Sequence, residues 1–110
     1  MISLLSVEKI YLEGYEFLTY EVYLPKTTLL VVANDVGYIM CAAVDIDFFN
    51  ETPKLRERQI IAGRAEGVRT IEQLLNAPLA KVTIAAEALG IKAGTIGKEA
   101  LVIMAAKGEK

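Results

Sequence analysis

Apolar and polar residues alternate with a period of two in the first quarter of this 110-residue chain, and this pattern gives way to helical spacing near the end. The alternation runs through residues 7–13 and Tyr15–Leu24, separated by a Glu13-Gly14 turn. Successive side chains of a strand point to opposite faces, so the pattern predicts two antiparallel, half-buried strands. Two segments that are apolar on both faces follow, residues 28–33 and 38–44, and predict a central hairpin turning at residues 34–37.

The second predicted strand has two different faces. One face carries the apolar residues at positions 18, 20, 22 and 24, and the other an aromatic row that includes Tyr15, Phe17 and Tyr23. We expect the aromatic row either to pack in an oligomer interface, where tyrosine is enriched, or to form the lightly covered face of an outer strand.

The second half of the chain predicts a short fifth strand at residues 60–62 and several helices. Thr70 and Gln73 form the threonine-x-x-glutamine pattern of a capping box, and Asn76 is expected to end that helix in a left-handed conformation. A second helix is predicted from Pro78 to residue 89, a third from Thr95, and a short one over residues 54–58. The chain is therefore expected to form one α+β domain over residues 1–110: a two-layer α/β sandwich, its sheet mainly antiparallel, with helices on one face.

Composition excludes several kinds of chemistry. The chain has no histidine, which removes serine-histidine triads, cysteine-histidine pairs and histidine-rich zinc sites. Its single cysteine cannot form an internal disulfide and no signal peptide is visible, so a cytoplasmic location is expected. No apolar run approaches the ~20 residues of a membrane helix, and the net charge of −2 does not favour nucleic acid. The hydrophobic fraction of 54% predicts a homo-oligomer.

All four arginines fall between Arg56 and Arg69, and the last two lie in a segment that predicts a strand, a loop and a helix start. Arginine binds carboxylates and phosphates with two hydrogen bonds, and a helix start attracts anions. We therefore expect a small anionic metabolite to bind at Gly63, Arg64, Gly67, Arg69 and Thr70. The alternative is that the arginines pair with nearby acidic residues, or lie at a subunit interface, and that the glycines only form turns.

An enzymatic function remains open. Asp35, in the predicted hairpin turn, is a candidate general acid or base, and Cys41 a candidate nucleophile. Turn formation by Asp35 and burial of an inert thiol at Cys41 are the structural alternatives. Asp45 and Asp47 offer carboxylates to a cation, but helix capping is the favoured interpretation, and we expect neither a metal nor a cofactor.

Four segments resemble the YunC-like family, a small bacterial and archaeal family of unknown function. They are residues 34–41 (NDVGYIMC), 63–71 (GRAEGVRTI), 77–79 (APL) and 90–94 (GIKAG). The resemblance implies a compact two-layer α/β domain and no particular activity. It also implies that the hairpin turn and the arginine segment are the family's hallmark regions, which favours their lying side by side. The leading hypothesis is thus an oligomeric anion-binding or regulatory module, with a histidine-free enzyme or a purely structural or interaction protein as alternatives.

Overall fold

The computed structural model describes residues 5–24, 27–41 and 60–108, and the structural statements below concern these residues. The strands are β1 (Leu5–Leu12), β2 (Tyr15–Leu24), β3 (Thr27–Ala33), β4 (Gly37–Met40), β5 (Ile61–Arg64) and β6 (Lys81–Val82). The helices are α1 (Ile71–Asn76), α2 (Ile84–Ala88) and α3 (Gly97–Gly108). The fold is α+β, as predicted.

The six strands form one mixed sheet in the order in which they occur along the chain. Four of the five neighbouring pairs are antiparallel, which agrees with the expected strand direction. The exception is β5, which runs parallel to β4 with Gly37 beside Ile61 and Met40 beside Arg64. A parallel pair needs a crossover connection instead of a tight turn, and the alternation of single strands does not reveal such a pairing.

One row of neighbouring side chains marks the buried face of the sheet. It crosses β2 to β6 through residues that the strand register places opposite each other, and all of them are buried: Thr19, Val32, Ile39, Gly63 and Val82. Helical residues belong to the same cluster, with Leu74 from α1, Ala86 from α2, and Leu101 and Met104 from α3. This face carries the main core of the domain.

The row on the other face changes character from one edge of the sheet to the other. It runs through Val7, Tyr20, Val31, Met40, Arg64 and Lys81. On β4 and β5, Met40 and Ala62 are buried and form a small second cluster with Val31, Tyr38 and Ile60. On β1 the same face is exposed, and on β2 it is exposed at Leu18 and Leu24 and half-buried at Tyr20 and Val22. At β6 it becomes basic, with Lys81.

The two faces of β2 are opposite to what their composition favoured. Phe17 of the aromatic row is buried in the main core, as is Thr19, whose hydroxyl donates a hydrogen bond to the Glu8 carbonyl at 3.4 Å. Leu18 and Leu24, on the face expected to be half-buried, are exposed. Expecting the aromatic row to be the interface or lightly covered face was wrong for Phe17, because both faces of the strand are apolar and alternation alone cannot rank them.

The helix start at Thr70 is confirmed. The Thr70 hydroxyl accepts a hydrogen bond from the Gln73 backbone N–H at 3.1 Å, and the Gln73 side chain accepts one from the Arg69 N–H at 2.7 Å. The expected left-handed end at Asn76 is wrong, since no described non-glycine residue except Glu13 has a positive φ. The helix instead ends in extended backbone at Ala77, where φ is −89°.

The predicted helix from Pro78 to residue 89 is also wrong in its first half. Pro78 forms a bridge with Ile96, and the next residues make β6. The helix begins only at Ile84, capped by Thr83, whose buried hydroxyl accepts hydrogen bonds from the Ala86 and Ala62 N–H groups. Pairing with β5 overrides the local helical pattern here.

Several sequence predictions lie outside the described residues. These are the short helix at 54–58, the end of the fourth strand beyond Cys41, the arginines at 56 and 58, and the carboxylates Asp45 and Asp47.

Candidate functional site

The first residue of the predicted anion site, Gly63, is a packing residue. It lies in the buried row of β5. A Cβ atom at this position would lie 2.6 Å from Cδ1 of Leu79, which is itself buried. The absence of a side chain therefore lets Leu79 approach the sheet, and this explains the glycine without a ligand.

Arg64 follows on the opposite face of the same strand and is largely covered. Its side chain is 16% exposed, and its guanidinium lies 3.6 Å from the carboxylate of Glu66. Its carbonyl accepts a hydrogen bond from the Ala80 N–H at 2.7 Å, which joins β5 to the segment that leads into β6. The local acidic pairing considered as an alternative is thus present in the structure.

Lys81 is the neighbour that the sequence pattern does not reveal. The register of β5 and β6 places it directly opposite Arg64, so two cationic side chains project from one face of the sheet edge. Like charges in this position repel unless an anionic group lies between them. Glu66 is close enough to Arg64 to provide one such charge.

The rest of the segment is exposed at its polar positions. Gly67 has a φ of +75°, a conformation that suits glycine, and Arg69 and Thr70 are both exposed. Thr70 uses its hydroxyl to cap α1, which has six residues. The structure thus puts Arg64, Arg69 and Thr70 within one short connection, with Gly63 buried beneath it.

The hairpin turn and the arginine segment attach to opposite ends of a strand pair. Gly37, which follows the turn, lies beside the first residue of β5, whereas Arg64 lies beside Met40. At ~3.3 Å per residue, three residues separate these positions by about 10 Å. The strand register therefore keeps the turn itself away from the arginine segment, although the two family motifs meet where Ile39 and Met40 lie beside Gly63 and Arg64.

Asp35 and Cys41 are likewise kept apart by β4. Asp35 is exposed in the turn before the strand, and Cys41 is buried directly after it. The Cys41 sulfur accepts a hydrogen bond from the Leu30 N–H at 3.4 Å and donates one to the Thr28 carbonyl at 3.7 Å. The thiol therefore packs as a small core group, and the structure does not bring the two residues together.

A cleft that no sequence motif indicates lies beside Asp35. It has a volume of about 380 Å³ and lies between the first residues of β2, the β3–β4 turn and Ala105 of α3. The side chain of Asn34 shapes this turn by accepting hydrogen bonds from the Val36 and Gly37 N–H groups, at 2.9 and 3.1 Å. The one signal in the sequence is that the second predicted strand is longer than the third.

Two absences hold for the described part of the chain. No group of three or more cysteine, aspartate or glutamate side chains there is arranged to hold a metal ion. No helix in these ranges has the length and apolar character needed to cross a bilayer.

Comparisons with known proteins agree with the fold and give no activity. Residues 40–104 match the model of a domain of unknown function, DUF1805. The uncharacterized protein YunC of Bacillus subtilis (strain 168) is 56% identical over 101 residues, which cover 92% of this chain and 98% of that protein.

A solved structure shares the fold at lower sequence similarity. It is the crystal structure of TA1206, a protein of unknown function from Thermoplasma acidophilum, with a TM-score of 0.80, 22% identity, and coverage of 91% of this chain and 92% of that one. The family match and the similarity to YunC confirm the resemblance seen in the sequence motifs. This chain belongs to the YunC-like family of DUF1805 domains.

Proposed function

We propose that this domain acts as a self-associating binding module, in which two copies pack through the exposed apolar face of β1 to β3. This face, the open face, consists of the side chains that alternate with the core residues on these strands: Leu5, Val7, Tyr11, Leu18, Tyr20, Val22, Leu24, Leu29 and Val31. In this arrangement the sheet is one layer of a two-layer sandwich, and the helices form the second layer on the side opposite the open face.

The observation that supports it most strongly is where the exposed apolar residues lie. Among the described residues, seven large hydrophobic side chains are exposed, and five of them lie on the open face: Leu5, Val7, Tyr11, Leu18 and Leu24. Single exposed hydrophobic residues are ordinary, whereas a contiguous group indicates an interaction surface.

The size and charge of the open face favour a second copy as the occupant. Strands of seven to ten residues give it a flat area of roughly 400 Å², from ~3.3 Å per residue and ~4.8 Å between strands. Two such faces together cover roughly 800 Å², which is below the size of stable interfaces and fits a weak, reversible one. Its charged residues, Lys9 and Glu16, pair with each other at 3.7 Å, so two such faces meet without net repulsion.

Self-association is tested by sedimentation velocity over a range of protein concentrations. We expect wild-type protein to move from 12.0 kDa toward twice that mass as concentration rises, and Val7→Lys to remain monomeric. Ile84→Lys is the matched control, since Ile84 and Val7 are both 48% exposed and Ile84 lies on α2. A wild-type protein that stays monomeric at every concentration, or equal effects of the two substitutions, would contradict the proposal.

A second proposed function is the binding of a small phosphate or carboxylate metabolite at residues 63–70. The strand register favours it, because it places two cationic residues, Arg64 and Lys81, opposite each other on one face at the edge of the sheet. Arg69, exposed in the same connection, supplies a further cation, and Thr70 the polar start of α1. Gly67 adopts the left-handed conformation in the connection, and Gly63 precedes it as a residue packed against Leu79.

Thermal unfolding in phosphate and citrate tests this site, with sodium chloride at equal ionic strength as the reference. A ligand at 100 times its dissociation constant adds ~2.7 kcal/mol, which raises the melting temperature by several degrees. We expect Arg69→Gln to remove the increase and Lys92→Gln, a substitution of an exposed cation elsewhere, to keep it. Equal melting temperatures in all three salts would rule the site out.

We also propose that the protein is located in the cytoplasm. The enzyme alternative has less support, because Asp35 and Cys41 lie at opposite ends of β4.

A further inference from the structure

The cleft beside the β3–β4 turn arises from a mismatch in strand length. Pairing of β2 with β1 continues to Tyr15, opposite Leu12, whereas pairing with β3 ends at Leu18, opposite Ala33. The first three residues of β2 thus have a neighbouring strand on one side only, over about 10 Å at ~3.3 Å per residue. The turn and the end of α3 approach this gap and enclose the cleft.

Backbone groups of Glu16 point into this gap. Leu12 and Tyr15 flank a two-residue turn, so they form a hydrogen-bonded pair, as do alternate residues further along the hairpin. Glu16 lies between two such residues, and its N–H and C=O are directed away from β1, toward the side where β3 has ended. The cleft therefore contains a backbone donor and acceptor as well as side chains.

The charge of the cleft is negative. Glu16 and Asp35 are the charged residues that line it, and both are exposed. Lys9 partly offsets Glu16 at 3.7 Å, where both side chains are 53% exposed. An exposed pair of this kind is weak, so Glu16 is able to exchange Lys9 for a ligand at little cost.

The walls of the cleft are aromatic. Tyr15 and Phe17 line it from the core face of β2, and Tyr20 lines it from the open face, which is also the face of Glu16. Aromatic faces attract cations, and the attraction grows where water is excluded. A volume of about 380 Å³ lies near the lower end of the range for small-molecule sites.

We propose that this cleft binds a small organic cation of the alkylammonium class, with its ammonium group between Glu16 and Asp35 and its carbon chain directed along Leu18 toward Tyr20, on the same face of β2 as Glu16. The volume of the cleft, the two carboxylates and the aromatic ring on that face support the same occupant. The site is separate from the arginine segment and has the opposite charge preference. It does not depend on self-association, although Leu18 and Tyr20 border both the cleft and the open face.

Isothermal titration of the whole chain with putrescine tests the proposal, with butanediol as the uncharged analogue and sodium chloride at equal ionic strength. We expect saturable binding of putrescine and none of butanediol. Asp35→Asn and Glu16→Gln should each weaken binding roughly three- to tenfold. Glu87→Gln, which removes an exposed carboxylate on α2, should leave the affinity unchanged.

The folding of each variant is checked by its thermal unfolding, since Asp35 lies in a turn. Leu24→Lys, at the far end of the open face, should bind putrescine with wild-type affinity, which separates this site from self-association. Absence of saturable putrescine binding, equal binding of butanediol, or full affinity in the Asp35→Asn, Glu16→Gln double variant would overturn the proposal. So would loss of binding in Leu24→Lys.

Discussion

The two faces of β2 have similar composition and opposite surroundings. Phe17 is 1% exposed in the main core, and Leu18, the next residue, is 36% exposed on the open face. An antiparallel strand with helices packed on one face and solvent on the other is expected to be apolar on one face only. The exposed second apolar face is the observation on which the proposed dimer rests.

The largest expected difference between the faces is in stability. Phe17→Ala should lower the free energy of unfolding by about 3–5 kcal/mol, because it leaves a cavity among buried neighbours. Leu18→Ala should change the stability of the monomer by less than about 0.5 kcal/mol. Urea denaturation at low protein concentration measures both. A large loss from Leu18→Ala in a monomer would show that the open face is already covered within one chain.

A comparison of two glycines, Gly63 and Gly67, tests what packs against the core face of β5. Gly63→Ala should cost about 1–3 kcal/mol, because its new methyl group meets Leu79 and forces the segment before β6 away from the sheet. Gly67→Ala is the comparison, since no atom lies within 4 Å of a Cβ there and only the φ of +75° opposes it, at about 1–2 kcal/mol. A ligand-contacting role of Gly63 predicts instead a normal stability and a lost anion effect.

The smallest expected effect on stability is that of Tyr38, which lies at the margin of the open face. Burial raises the pKa of its hydroxyl above the ordinary 10.0, because desolvation disfavours the phenolate. The unfolded chain therefore releases this proton at lower pH than the folded one. The contribution of the neutral Tyr38 hydroxyl to the free energy of unfolding is complete below pH 10. It is lost as the pH rises through the pKa of Tyr38 in the folded protein. We expect Tyr38→Phe to show a shallower alkaline loss of stability than wild type in pH-dependent urea unfolding, and equal slopes would contradict this.

Much of the sheet was predictable from sequence. The first three strands and the hairpin turn follow from alternation and turn residues, and the cap at Thr70 from its spacing to Gln73. The faces of β2 were not predictable, because both are apolar and the choice depends on where the helices pack. The parallel pairing of β5 and the strand pairing of β6 depend on contacts distant in sequence, which local patterns do not contain.

The candidate sites, like the sheet, were predictable from sequence only in part. Sequence identified Arg64, Arg69 and Thr70 as one connection, and the structure keeps them together. It could not show that Gly63 makes room for Leu79, or that Lys81 lies opposite Arg64 across β5 and β6. The cleft at Asp35 depends on β2 extending past β3, which is a property of strand register and not of any motif.

The most direct test of the account is to observe contacts between copies. Mixing isotope-labelled with unlabelled protein and recording filtered methyl nuclear Overhauser spectra detects only intermolecular proximity. Self-association through the open face predicts contacts to the methyl groups of Val7, Leu18 and Leu24, and none to the ring of Phe17 or the methyl groups of Ile84. Contacts at Ile84 alone, or no intermolecular contacts at high protein concentration, would contradict the assignment of the open face to self-association.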